Sequence, residues 1–390
     1  MTGSPANGAA HICLVSDQLP PNLIPALMLR PHTVHLVVTE GMKEQGVRLD
    51  RILRDQGFRT ELHAQAPSAG LAAIRKFAEE VAVRLDGQGP FILNVTGGTK
   101  LMALAFTQVL PELLPDVDVL YTDTKHQVLE FLSDKDTAPV PIASVLSLEL
   151  HLRAYGLLRR ATQSADEAWL AGAQKLKPLT KWLALHAGEI EGFIGALNGA
   201  AEQAVGRRDD PFRARQNLEA WGMGVAALEE ITKPEYGLMT RVSSDTVEFA
   251  SLDAARYLGG SWMEHYAWWI LRDAEVEQAH AGVQVIWQDG DKQRPPPNEL
   301  DVVAVHRNRL LLIECKTARF GNDGVKDQEI LNRLESLGRN AGGLFGRPVL
   351  LSARRLRDEL RSRAKAYRLT WFDCTNLKDF KPFIESWIKH

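Results

Sequence analysis

The sequence predicts an α/β protein with two chemically distinct ends joined by a helical connector. Three observations carry this. Short apolar runs alternate with helical patterns over residues 11–132, and Ala, Leu and Trp recur at helical spacing over residues 146–232. From Arg241 onward, strand and helix patterns alternate again. At 390 residues the chain suits two or three domains of roughly 100–200 residues each, with expected bounds of 1–145, 146–240 and 241–390.

In the first segment Ile12–Val15, Val34–Val38, Phe91–Val95 and Val117–Tyr121 are apolar runs typical of buried parallel strands. Gly41–Gln56 and Gly70–Leu85 read as the intervening helices, and Val128–Leu132 as a final strand. This order implies a doubly wound sheet with ligands at the carboxyl ends of its strands. The middle segment reads as helices broken by the polar run Arg207–Pro211. Beyond it, Val242–Ala250 suggests one or two short strands around Ser244–Asp245, and Gly259–Gly260 opens an aromatic helix, SWMEHYAWWIL. Pro295–Pro297 precede two strands, Leu300–Val305 and Leu310–Lys316; further strands are expected at Pro348–Leu351 and Leu369–Phe372, with a basic helix between them.

Composition narrows the classes. Hydrophobic residues at 45% and charged residues at 24% exclude disordered and collagen-like chains. No apolar run approaches the roughly 20 residues of a membrane span, and the first residues lack the basic-then-apolar pattern of a signal peptide. Cys13, Cys315 and Cys374 form neither a CxxC pair nor a disulfide framework, and the 11 histidines give no zinc spacing. A cytoplasmic location without membrane partners is expected. The net charge of −3 hides an asymmetry: residues 1–150 carry −5, residues 151–300 carry −5, and residues 301–390 carry +7. A basic end can mark a nucleic-acid surface. Seven of its cations, Arg354, Arg355, Arg357, Arg361, Arg363, Lys365 and Arg368, lie within fifteen residues; a solvated basic face is the plainer alternative.

The segment Asn94-Val95-Thr96-Gly97-Gly98-Thr99-Lys100 sits between an apolar strand and a helix beginning near Lys100. Its glycines permit close backbone approach, while the helix N-terminus and Lys100 favour an anion. It is neither a Walker A loop nor GxGxxG. A glycine turn leading into a capped helix is the structural alternative. Ser16-Asp17-Gln18 and Thr39-Glu40 follow other strands and should share the same sheet edge. Residues 10–135, with the NxTGGTKxM-like stretch Asn94–Met102, resemble the CARF domains of CRISPR-associated ancillary proteins. The resemblance implies a Rossmann-like homodimeric domain that binds a cyclic oligoadenylate, most commonly cyclic tetra-adenylate. The contacts it implies are Ser16, Gln18, Thr39, Glu40, Asn94, Thr96, Gly97, Gly98, Thr99 and Lys100.

The second motif runs from Asn298-Glu299-Leu300-Asp301 to Glu314-Cys315-Lys316. A two-residue hairpin turn at Arg307-Asn308 places Asp301 opposite Glu314 and Glu299 opposite Lys316. Opposed β-carbons lie roughly 4.5–5.5 Å apart, close enough for two carboxylates to share a cation. Oxygen donors of this kind suit magnesium or manganese. The period of two puts Glu314 and Lys316 on one face and the Cys315 side chain on the other, as a core residue. Trp262, Tyr266 and Trp269 follow helical core spacing; an ordinary charged hairpin is the alternative for the motif.

This pattern resembles the PD-(D/E)xK motif of restriction-endonuclease-like enzymes, although no proline directly precedes Asp301. The resemblance implies that Asp301, Glu314 and the carbonyl of Cys315 hold the cation. Lys316 would position or deprotonate the attacking water, and Glu264 on the aromatic helix would complete the site. Glu299 is a further candidate. With Gly342-Gly343 ahead of Arg347–Ser352, the whole chain resembles the CRISPR ancillary nucleases that pair a CARF domain with a restriction-endonuclease-like α/β domain. The expected activity is metal-dependent hydrolysis of phosphodiester bonds in DNA and/or RNA, allosterically activated by cyclic tetra-adenylate. A restriction-type enzyme governed by an ordinary nucleotide and a non-catalytic sensor of cyclic oligoadenylate are the alternatives.

Overall fold

The computed structural model describes residues 8–114, 116–132, 137–207, 210–288, 299–318, 332, 334, 346–367 and 369–389. Pro295–Pro297, Asn298, Gly342–Gly343, Arg368 and part of Arg207–Pro211 lie outside them. The chain forms two compact units. The first contains Met1–Leu158 and Gln288; the second contains Arg159–Trp287, Asp291–Gly342 and Gly346–His390.

The first unit is a sheet of β1 (Ala10–Leu14), β2 (Thr33–Thr39), β3 (Arg59–Ala66), β4 (Phe91–Asn94), β5 (Val117–Asp123), β6 (Val128–Phe131) and β7 (Val140–Pro141) in the order 3-2-1-4-5-6-7. The first five are parallel, and β6 and β7 run antiparallel. All five residues of β1 are buried because both of its faces are covered. Ile12 and Leu14 join the core beneath α3 (Leu71–Leu85) and α4 (Lys100–Leu113). Cys13 and Val15 join the core of the other face, with residues of α1 (Pro20–Leu29), α2 (Lys43–Asp55) and α5 (Leu148–Ala154). In α4 the buried residues Met102, Ala105, Phe106, Val109 and Leu110 make one apolar stripe. The chain leaves β1 and β4 toward opposite neighbours, so the topological switch lies between them.

The second unit carries a sheet in the order β16-β15-β14-β13-β12-β8, made of β8 (Leu157–Thr162), β12 (Gln278–Trp287), β13 (Glu299–His306), β14 (Arg309–Lys316), β15 (Gly346–Ser352) and β16 (Thr370–Phe372). The unit boundary falls inside β8. β13 and β14 form the expected hairpin with the expected register, from Val302↔Ile313 to His306↔Arg309. Its turn places Arg307 at φ 48° and Asn308 at φ 61°, the paired left-handed residues of a tight turn matched to strand twist.

The connector is less uniform than its composition predicts. α6 (Glu167–His186), α7 (Glu191–Val205) and α8 (Met223–Ile231) are helices, but β8, β9 (Arg215–Asn217) and β10 (Met239–Arg241) are interspersed. The last two flank β11 (Thr246–Phe249) in a small antiparallel sheet. These strands are short and their side chains mostly polar, so no apolar run announced them. One core cluster extends from Ala173 of α6 to Trp387 of the last helix, so these helices pack as part of the second unit. The helix α9 (Leu252–Arg256) leads through Tyr257–Ser261, where the backbone kinks at Gly260, into α10 (Trp262–Asp273).

Candidate active site and ligand loops

The nuclease-like residues assemble at one end of the β13–β14 hairpin. The paired ladder of β13 and β14 ends at Val302↔Ile313, and Asp301 and Glu314 are the next residues beyond that pair. Asp301 Oδ2 accepts a 2.7 Å hydrogen bond from the Cys315 backbone amide, fixing the first carboxylate on the neighbouring strand. Glu314 is only 5% exposed, and its Oε1 lies 2.7 Å from Lys316 Nζ. Burial works to lower the Lys316 pKa, but Glu314 and Asp301 outweigh it and the net shift is upward. Lys316 therefore stays charged in neutral solution.

Glu264 enters from the first turn of α10, just beyond the kink at Gly260. Its pKa is pushed up to about 8, first by burial and then by Asp301 and Glu299, with Lys316 opposing and Glu314 adding. Four carboxylates thus share one electrostatic neighbourhood, and crowded like charges favour a proton or a cation among them. The Cys315 thiol is buried and its pKa is held well above the ordinary value, by burial and then by Asp301, Glu264 and Glu314. That environment suits a core residue and disfavours a thiolate nucleophile.

Trp262 and Tyr266 are buried in the core, and Trp269 Nε1 donates to the Ala173 carbonyl of α6, so the aromatic residues of α10 serve packing. Beside the carboxylates opens a cleft of about 490 Å³ lined by Asn198, Arg256, Ser261, Glu264, Lys316 and Thr317 among others. Among the described residues, no three His, Cys, Asp or Glu side chains are gathered as a ready-formed metal cage. The donors available to a cation are carboxylate and carbonyl oxygens, a type of set that fits magnesium or manganese.

The basic run is divided. Arg354 is buried against Glu191 at 3.3 Å, and Arg361 pairs with the buried Asp373 at 2.7 Å. The helix itself, α11 (Asp358–Ala366), is short. Arg355, Arg357, Arg363 and Lys365 remain exposed.

In the first unit the loops after β1 and β4 meet at the switch point. A β-carbon on Gly97 would stand 2.0 Å from the Leu14 carbonyl oxygen, and Gly98 has φ 72°. Both glycines are therefore required by the geometry. Thr99 caps α4, its Oγ1 accepting from the Met102 amide at 3.2 Å, and Thr99 and Lys100 are exposed at the helix start.

Asn94 and Thr96 turn inward. The Asn94 amide donates to the Pro21 carbonyl at 2.9 Å, its oxygen accepts from the Thr96 amide, and Thr96 Oγ1 accepts from the Thr122 amide at 2.7 Å. These two hold the loop's shape. Ser16 Oγ donates to the Gln18 carbonyl, while Gln18 Oε1 accepts from the Tyr155 hydroxyl at 3.2 Å. Thr39 is buried at the end of β2 and Glu40 is exposed beyond it. Thr122 and Tyr155, whose partners Pro21 and Gln18 lie 101 and 137 residues away, were not legible beside these loops, nor was Asn22, whose amide donates to the Leu14 carbonyl.

The comparisons agree with this division of the chain. The Card1 CARF domain family model matches residues 10–150, and the Card1-like endonuclease domain model matches residues 251–390. No curated protein matches the sequence. Among solved structures, protein VC1899 from Vibrio cholerae is similar in fold, with TM-score 0.83, 22% identity and 98% of each chain covered. Can2 from Sulfobacillus thermosulfidooxidans, solved in complex with cyclic tetra-adenylate, aligns with TM-score 0.76 and 22% identity over 97% of this chain and 99% of that one. A type III CRISPR defence DNA nuclease activated by cyclic oligoadenylate aligns with TM-score 0.52 and 19% identity, over 89% of this chain and 46% of its own. The chain belongs to the Card1-like nucleases, with its CARF domain at residues 10–150 and its endonuclease domain at residues 251–390.

Proposed function

We propose that the protein is a metal-dependent nuclease of type III CRISPR immunity that cyclic tetra-adenylate activates. It would hydrolyse phosphodiester bonds of DNA and/or RNA and work as a cytoplasmic homodimer, with residues 146–240 connecting sensor to nuclease. The observation that carries this reading is the gathering of Asp301, Glu314, Lys316 and Glu264 at one hairpin end of an endonuclease domain. The glycine loop at the switch point of a CARF domain supports it, as does the relative Can2, solved with cyclic tetra-adenylate bound.

Magnesium or manganese would be held by the carboxylates of Asp301 and Glu314 and the carbonyl of Cys315, with Glu264 completing the set. Bound there, the cation would activate water and stabilise charge on the phosphate. The chain's own residues do the rest. The Cys315 amide fixes Asp301. Lys316, paired with Glu314, sets a cation beside the carboxylates, where it can orient the attacking water or a phosphate oxygen. Glu299 borders the centre from the neighbouring strand. In the sensor, the amides around Gly97 and Gly98, the Thr99 hydroxyl and Lys100 face the activator's phosphates, flanked by Ser16, Gln18, Thr39 and Glu40. Asn94 and Thr96 hold the loop.

The test is a cleavage panel of single- and double-stranded DNA and RNA with manganese or magnesium. It is run with cyclic tetra-adenylate, cyclic hexa-adenylate, ATP or no activator. Cyclic tetra-adenylate is expected to switch cleavage on, and Glu314→Gln to lower it by at least ~100-fold with activator affinity unchanged. Activation by ATP alone would favour a nucleotide-governed restriction enzyme. No cleavage under any condition would leave only a sensor.

A further inference from the structure

Glu299 is held from outside its own hairpin. Gln163, in the short 3-10 turn that follows β8, donates from Nε2 to Glu299 Oε1 at 2.6 Å. The seat for this side chain is built into β12. Gly282 has φ 61°, and a β-carbon there would lie 2.4 Å from Gln163 Cδ. The pairs Ala281↔Val302 and Val283↔Leu300 flank Gly282, so it stands opposite Asp301. The next residue, Ser164, accepts from the Ala281 amide at 2.9 Å and pins the same turn.

The other end of β8 reaches the sensor loops. Tyr155 is 7% exposed, and its hydroxyl donates to the side chain of Gln18, in the loop after β1. Gly156 has φ 80°, and a β-carbon there would lie 2.8 Å from Arg48, so α2 packs closely on it. Its carbonyl accepts from the Gln288 amide, just past the end of β12, at 2.8 Å. Between Tyr155 and Gln163 the chain is almost entirely the extended strand β8. An extended strand tied at both ends has little slack to absorb a displacement at either one.

We infer that β8 links the activator loop to the nuclease centre, with Tyr155 at its entry and Gln163 at its exit acting as positioning residues for Glu299. The inference rests on the activated-nuclease reading above. A shift of Gln18 when the activator binds would move Tyr155, the strand, and then the hydrogen bond that sets Glu299 beside Asp301.

The test uses the full chain, with calorimetric titration of cyclic tetra-adenylate and steady-state cleavage in manganese. Tyr155→Phe is expected to bind the activator within ~threefold of the parent while stimulated kcat falls ~tenfold. Gln163→Leu should lower kcat similarly with substrate KM unchanged. Gly282→Ala, which crowds the seat from the β12 side, should reproduce that loss. The double variant Tyr155→Phe, Gln163→Leu should be no slower than the worse single variant, because both act through one link. Thermal midpoints near the parent's would show that the variants are folded.

Parent-level stimulation in Tyr155→Phe overturns the link, even if Gln163→Leu is impaired. So do losses that multiply in the double variant. A parent protein that cyclic tetra-adenylate does not activate overturns the functional reading and the link with it.

Discussion

A β-carbon at Gly97 would collide with the Leu14 carbonyl oxygen at the end of β1 and reach within 3.2 Å of Ser16 Oγ, so the loop after β4 lies directly against the end of β1 and the loop that follows it. Gly97→Ala must push them apart, and we expect at least a tenfold loss of cyclic tetra-adenylate affinity by calorimetry, roughly one hydrogen bond's worth or more. Metal-dependent cleavage without activator should be unaffected. At this scale the sequence exposed residues whose spacing is local. Strand period and turn length put Asp301, Glu314 and Lys316 forward as candidates, and the resemblance to restriction-endonuclease-like enzymes put Glu264 forward. The sequence did not separate the loop residues that point outward, Thr99 and Lys100, from those that turn inward, Asn94 and Thr96. Nor could it show Gln163 or Tyr155, whose partners lie 136 and 137 residues away.

Among the elements, strands buried on both faces were the legible ones. β1, β2, β4 and β5 are apolar runs, and the β13–β14 register was fixed by its two-residue turn. β3, with the polar sequence RTELHAQA, escaped because it borders the sheet and buries only Thr60, His63 and Ala66, which form no apolar run. β12 escaped because Gly282 and scattered polar residues break its pattern. Three adjacent parallel strands, β1, β2 and β3, share a further property. His11 on β1, His35 on β2 and His63 on β3 are buried, and burial is the largest cause of their lowered pKa values, to about 3 for His11 and about 4 for His63. Glu61 opposes the shift at His35 and His63, but the net remains downward. The unfolded chain, with histidines near pH 6.5, therefore binds more protons than the folded one in acid. Stability of the first unit should fall as pH drops from ~6.5 through ~4, and it is fully present above that window. Melting followed by circular dichroism across this range checks it; a midpoint rising toward pH 4 would contradict the assignment.

For the whole molecule, charge separates an acidic stretch, residues 1–300, from a basic one, residues 301–390, whereas the domain matches cover residues 10–150 and 251–390. The endonuclease match begins at residue 251, but the core does not. Ala173, Leu179, Leu183, Ile194 and Leu197 of α6 and α7 lie in the same cluster as Trp262, Ile313 and Trp387. A fragment of residues 251–390 loses that half of its interior, and we expect it to precipitate on expression. A fragment beginning at Leu157 should remain in solution and melt cooperatively. Composition could not reveal this, because helical spacing says which residues are buried and not what they are buried against.

Strand β8 lies at the rim of the second unit's sheet and displays Arg159 and Arg160 to solvent. A bare rim of unpaired amides and carbonyls is a template on which another chain can add, whereas paired cations repel an identical copy. Cutting the chain after β8 would uncover β12, whose apolar Val283 and Val285 would then border a naked edge. In the intact chain β8 keeps that edge of β12 covered and puts two cations at the rim in its place.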